Sequence, residues 1–140
     1  MKTLDELLWP DDSNATLHDA ELLNLTIDYV QGMAEFTLSI CVGDPESEDA
    51  LIYKARQTGI LTVSGLEMLS IEPPTRDNSR SPHKGLLVDA DLETTFLRSR
   101  AQLVDQTGDQ IQFWIYVLDW NSFMRVTGKK VSFRWENLLC

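Results

Sequence analysis

Apolar residues recur with a period of two through much of this chain. Leu23, Leu25, Ile27 and Tyr29 alternate with Asn24, Thr26 and Asp28, the pattern of a strand with one buried face. Gln31-Gly32 reads as a turn. Beyond it, Ala34, Phe36, Leu38, Ile40 and Val42 alternate with Glu35, Thr37, Ser39 and Cys41. The two runs predict a hairpin, closed by an acidic loop from Gly43 to Asp49 that contains Pro45. A third strand is expected between Leu51 and Val63. Leu51, Tyr53, Ala55, Leu61 and Val63 share one parity there, but so do Gln57 and Gly59, and Gly59 suggests a bulge or bend. Leu66 to Ile71 fits either a strand or a turn of helix, because short apolar runs are ambiguous by period alone.

The first residues follow a different period. Leu4, Leu7 and Leu8 fall on one helical face, Thr3 and Glu6 have capping-box spacing, and Pro10 with Asp11-Asp12-Ser13-Asn14 ends the run. About two turns of helix cannot stand alone, so this segment should dock on an apolar surface. Glu72 to Lys84 holds Pro73, Pro74 and Pro82 and predicts a mobile loop over 72–84. The C-terminal third returns to strands. One is expected over Thr95 to Val104, followed by a turn at Asp105-Gln106-Thr107-Gly108-Asp109. Ile111, Phe113, Ile115 and Val117 then alternate with Gln112, Trp114, Tyr116 and Leu118. Apolar residues on both faces place that strand near the middle of a sheet, covered on both sides. A turn at Asp119 to Ser122, the run Phe123-Met124-Arg125-Val126 and a turn at Thr127-Gly128-Lys129-Lys130 lead to a last strand with Val131, Phe133 and Trp135 facing inward. The fold expected is mostly β: an antiparallel sandwich or partly closed barrel of roughly six to nine strands, with one short N-terminal helix.

Composition narrows the picture. With 140 residues, the chain has the length of a single domain, residues 1–140. Hydrophobic residues at 43% and charged residues at 24% fit a packed core and not a disordered chain. The net charge of −10 repels phosphate backbones, which argues against nucleic acid as a partner. It suits a basic protein partner instead. Met1-Lys2-Thr3-Leu4-Asp5-Glu6 lacks the apolar core of a signal peptide, and no apolar run approaches the ~18 residues of a membrane span. Cys41 and Cys140 do not make a disulfide framework. These features predict a cytoplasmic protein without a membrane attachment.

Candidate chemistry is sparse. A structural zinc needs four Cys or His ligands at short spacing, and His18, Cys41, His83 and Cys140 are scattered. A carboxylate-assisted site is conceivable only around His18, Asp19 and Glu21, where backbone hydrogen bonding at the opening of a strand is the simpler role. Asp89-Ala90-Asp91-Leu92-Glu93 resembles the start of a calcium loop, but Thr94 replaces the required glycine and Arg100 the closing glutamate. It reads as a solvated acidic turn. There is no Gly-x-Ser-x-Gly elbow and no glycine-rich phosphate cradle, and Cys41 has no evident base beside it. Neither a metal nor a cofactor is expected. Phe113, Phe133 and Trp135 suit a β core. Trp120, in a turn, is a candidate contact residue.

Leu17-His18-Asp19-Ala20-Glu21-Leu22-Leu23, running into an alternating strand and hairpin, resembles the opening of small bacterial β proteins such as the immunity protein 50 family. The resemblance covers about a fifth of the chain. It implies an intracellular inhibitor of a cognate toxin, with no catalytic machinery. Two functional expectations follow. One is a non-catalytic binding or regulatory domain, with His18, Asp19, Glu21, Asp44, Glu46, Glu48, Asp49 and Trp120 as candidate contacts for a basic partner. The other is a ligand-binding or hydrolytic β domain with a cleft near His18, Asp19 and Glu21.

Overall fold

The computed structural model describes residues 3–9, 14–44, 46–49, 55–74, 85–92 and 110–136. Among these residues a 3-10 turn at Leu4–Leu7 precedes eight strands: β1 (Thr16–Asp28), β2 (Met33–Cys41), β3 (Arg56–Ser64), β4 (Met68–Ile71), β5 (Leu86–Leu92), β6 (Ile111–Val117), β7 (Ser122–Gly128) and β8 (Lys130–Trp135). They form one antiparallel sheet in the order β4-β7-β6-β5-β1-β2-β3-β8. The mostly β expectation holds. Among the described residues the sheet is not closed, and β4 and β8 are its two ends.

The sheet nevertheless curls on itself. β3 runs into β4 through Gly65, and β7 runs into β8 through Lys129, so the two end strands are short continuations of interior ones. At this corner the Lys129 amide donates to the carbonyls of Ser64 and Gly65 (3.1 and 3.2 Å). Gly65 has a φ of +60°, which a glycine adopts without steric cost. A β-carbon on Gly128 would lie 2.4 Å from Val63 Cγ1, so the two bent strands can meet only at a glycine. The curl brings β2 over β6, where Phe36 and Phe113 meet edge-on with ring centroids 6.1 Å apart. Around this pair lie Leu17, Leu38, Ile40, Leu61, Val63, Val88, Ile115, Val117 and Val126, all buried. Each large apolar side chain buried there contributes about 1.5–3 kcal/mol.

β2 matches its pattern without a break: Ala34, Phe36, Leu38 and Ile40 are buried, and the residues between them are half-exposed. β1 does not. Leu22 pairs with Leu38, whereas Asn24 pairs with Thr37, so Leu23 is the extra residue of a bulge. Leu22 is therefore buried and Leu23 is 41% exposed, which reverses the expected placement of Leu23. Tyr29, also expected inside, is exposed in the turn. That turn is as expected at Gly32, with φ +66°, and the Asp28 carboxylate accepts the amides of Val30 and Gln31 (3.0 and 3.1 Å).

The N-terminal element is one 3-10 turn, not two turns of helix, and the Thr3 side chain makes no capping bond. One carboxylate from the sheet and one from the turn hold it instead. The Leu4 amide donates to Asp91 (3.0 Å), and Asp5 accepts the Leu17 amide and the Thr16 hydroxyl (both 2.9 Å). Leu4 and Leu8 are buried against the sheet, so the expected docking occurs.

Three further expectations change. Gly59 is no bulge, since β3 stays in register with both β2 and β8 across it. Asp89 to Leu92 is not a turn but the end of β5, a strand flanked by β1 and β6. Thr127 and Gly128 belong to β7, leaving Lys129 alone as the corner. Leu66 to Ile71 resolves as strand at Met68–Ile71. β6 has a strand on each side, with Phe113, Ile115 and Val117 inward. Its other face carries a half-buried cluster in which Trp114 and Tyr116 pack on Phe123 of β7. In the expected loop, Glu72 to Pro74 is exposed and irregular. Residues 51–54, 75–84, Thr95 to Val104 and the turn at 105–109 lie outside the described residues.

Candidate functional site

A wide bulge in β1 places the first candidate residues. Thr16 faces Cys41 and Glu21 faces Ser39, so five residue steps of β1 oppose two of β2. The surplus chain loops outward at His18 and Asp19. Asp19 takes a φ of +59°, a left-handed conformation that aspartate tolerates better than most residues. Arg56 clamps the loop from β3, its guanidinium donating to the carbonyls of Asp19 (2.8 Å) and Ser39 (3.2 Å).

The His18 imidazole lies between two carboxylates. Nδ1 is 3.3 Å from Asp89 of β5, and Nε2 is 3.5 Å from Asp19. The hydrogen bond to Asp89, then the charge of Asp19, raise the His18 pKa above 6.5, against a small opposing cost of desolvation. The His18 side chain is 68% exposed, so the cluster is an open surface feature and not a recess. Glu21 comes two residues later, half-buried in regular ladder between Ser39 and Leu87.

The acidic loop leaves the same end of the sheet. β2 ends at Cys41, opposite Thr16, and Val42 bonds across to Ala55 (3.0 Å). Asp44 organises the loop by accepting the Glu46 amide on its side chain (2.9 Å) and the Ser47 amide on its carbonyl (3.1 Å). Ser47 accepts the Asp49 amide (3.2 Å). Glu46, Glu48 and Asp49 are exposed, and Asp44 is half-buried. The fold thus gathers the His18 bulge and the acidic loop at one end.

Trp120 does not join them. In the row Ala20–Val88–Val117, His18 precedes Ala20 on the Asp89 side, whereas Trp120 follows Val117 on the Leu87 side. Its turn is tied to β5 by Leu118 N–H to the Leu87 carbonyl and by Leu87 N–H to Asp119 (both 2.9 Å). The Trp120 ring is half-buried against the core.

Sequence reasoning missed Asp5, Arg56 and Asp89. Asp89 had a usable signal, because Val88-Asp89-Ala90-Asp91 alternates with period two. Arg56 had none, since its role depends on a bulge two strands away. Among the described residues no group of three or more His, Cys, Asp or Glu is arranged to hold a metal ion, and no helix is long and apolar enough to cross a membrane.

No family model matches this chain, and no curated protein matches it. Among solved structures, the chain is similar to the crystal structure of an uncharacterized protein from Neisseria gonorrhoeae. That protein is 13% identical, with a TM-score of 0.50 over 86% of this chain and 94% of the other. The similarity concerns the fold alone.

Proposed function

We propose that this chain is a non-catalytic intracellular binding domain, an immunity-type inhibitor whose acidic end receives a basic partner protein. The observation that carries the reading is the placement of Glu46, Glu48 and Asp49, all exposed, at the same end of the sheet as the open His18–Asp19–Asp89 cluster. A surface on which acids outnumber bases speeds encounter with a basic one. The Leu17 to Leu23 resemblance supports the same role and suggests a toxin as the partner.

The hydrolytic alternative meets a chemical difficulty. A histidine acting as general base needs one ring nitrogen for substrate and uses the other for an orienting carboxylate. Here both nitrogens of His18 face carboxylates. The direct test is to express the product of the neighbouring gene with this protein and measure complex formation by calorimetry. A stoichiometric complex that neutralises the neighbour's toxicity is expected. Hydrolysis of an ester or peptide panel that is lost in His18→Ala would overturn the proposal.

A further inference from the structure

The outward loop of the β1 bulge carries the His18 ring to the surface. Its side chain is 68% exposed, and those of Asp19 and Asp89 beside it are 52% and 38% exposed. The loop is tied from more than one side. Arg56 of β3 holds the Asp19 carbonyl (2.8 Å). The His18 amide donates to the Thr16 hydroxyl oxygen (3.1 Å), and that hydroxyl donates to Asp5 of the N-terminal turn (2.9 Å). A partner seated on the acidic loop and this bulge together meets an anchored, uncovered imidazole.

Among the described residues, the titratable groups that face the ring are Asp89 of β5, Asp19 of its own strand and Asp5 of the N-terminal turn, and all three are acids. Arg56 reaches the same bulge with its guanidinium on the main-chain carbonyls of Asp19 and Ser39. These surroundings favour the charged imidazole. The hydrogen bond to Asp89 comes first and the charge of Asp19 second, and together they raise the His18 pKa above 6.5.

A basic partner acts in the opposite sense. A lysine or arginine brought near the ring disfavours the imidazolium, so the complex keeps His18 neutral to a lower pH than the free protein does. By linkage, binding then releases protons and tightens as pH rises. We infer that the proton on His18 regulates the acidic end: charged His18 weakens the hold on a basic partner protein, and neutral His18 strengthens it. The inference rests on the partner-binding role proposed for this end and names its regulation. A complex that lowers the His18 value by one unit binds up to about tenfold more weakly where His18 is charged in the free protein.

Calorimetry with the neighbouring gene's product, at about pH 6 and about pH 8 and constant ionic strength, tests this. Wild type should bind several-fold, up to about tenfold, more weakly at the lower pH. His18→Gln, neutral at both, should lose that ratio. His18→Lys, charged at both, should lose it too and bind more weakly than His18→Gln. Repeating the titration in phosphate and in Tris, whose ionisation enthalpies differ, should show proton release by wild type that His18→Gln does not show. A complex whose pH dependence is the same in wild type and His18→Gln overturns the inference and leaves the partner-binding role standing. No complex at either pH overturns that role and the inference with it.

Discussion

Gly59 offers the sharpest test of the packing, because the fold predicts that a single ring sets most of the cost of a substitution there. A β-carbon added there would lie 2.2 Å from Phe133 Cζ and 2.6 Å from Cε2. Gly59 sits opposite Trp135, while Phe133 is opposite Leu61. The Phe133 ring therefore leans diagonally across the glycine, and Trp135 meets it edge-on with centroids 4.8 Å apart. An alanine must push that ring away. Overpacking of this kind costs about 1–3 kcal/mol. Set against it, alanine in a strand is favoured over glycine by roughly 0.5–1 kcal/mol. Gly59→Ala should therefore lose up to about 2.5 kcal/mol, and a chain of this length should melt ~3–5 °C lower per kcal/mol. In a Phe133→Ala background only the approach to the Arg134 carbonyl, 3.3 Å, remains, and the same substitution should cost less by about the 1–3 kcal/mol that the ring imposes. Urea denaturation of the four proteins in this cycle measures the coupling. Equal effects of Gly59→Ala with and without the ring would refute the reasoning.

Three further outcomes are expected. Leu22→Ala should lose about 2–5 kcal/mol, whereas Leu23→Ala should change stability by no more than about 0.5 kcal/mol; the opposite ranking in denaturant titrations would remove the bulge. At Asp19, with its φ of +59°, Asp19→Gly should be more stable than Asp19→Ala by roughly 1 kcal/mol, and thermal melting of the pair decides it. The His18 pKa is raised in the folded protein, so the contribution of charged His18 is complete below the unfolded value of about 6.5 and fades as pH rises through the folded value. Because the side chain is 68% exposed, that contribution is limited to about 1 kcal/mol or less. The stability difference between wild type and His18→Gln should therefore shrink as pH rises from about 6 to 8. A constant difference across that range would contradict the ion pairing with Asp89 and Asp19.

The strands that could be read from sequence are those without irregularity. β2 keeps one register from Met33 to Cys41, and β8 keeps Val131, Phe133 and Trp135 on one face, so period two maps directly onto burial. β1 defeats the same reading because its two bulges shift parity. Those shifts are set by pairing with β2, which no local pattern encodes. β5 was hidden by its own chemistry. Asp89 and Asp91 look like loop residues, yet they alternate outward from Val88 and Ala90 in a flanked strand, where they accept bonds from the N-terminal turn and pair with His18. The N-terminal element was legible as an apolar stripe but not as a 3-10 turn, because Asp5 and Asp91 replace the capping box. In the candidate site, His18, Asp19 and the acidic loop were visible as unusual words in the sequence. Their sharing one end of the sheet follows from the Thr16–Cys41 register alone.

The most direct measurement of the proposed role is the association rate with the neighbouring gene's product, by stopped-flow, at low and high salt. Wild type should associate at least about tenfold more slowly at high salt, as screening of an electrostatically steered encounter requires. Reversal of the acidic loop by Glu46→Lys, Glu48→Lys and Asp49→Lys should slow the low-salt rate comparably and flatten its salt dependence. An association rate that changes neither with salt nor with the charge reversal would contradict the assignment of this end of the sheet as the partner-binding surface.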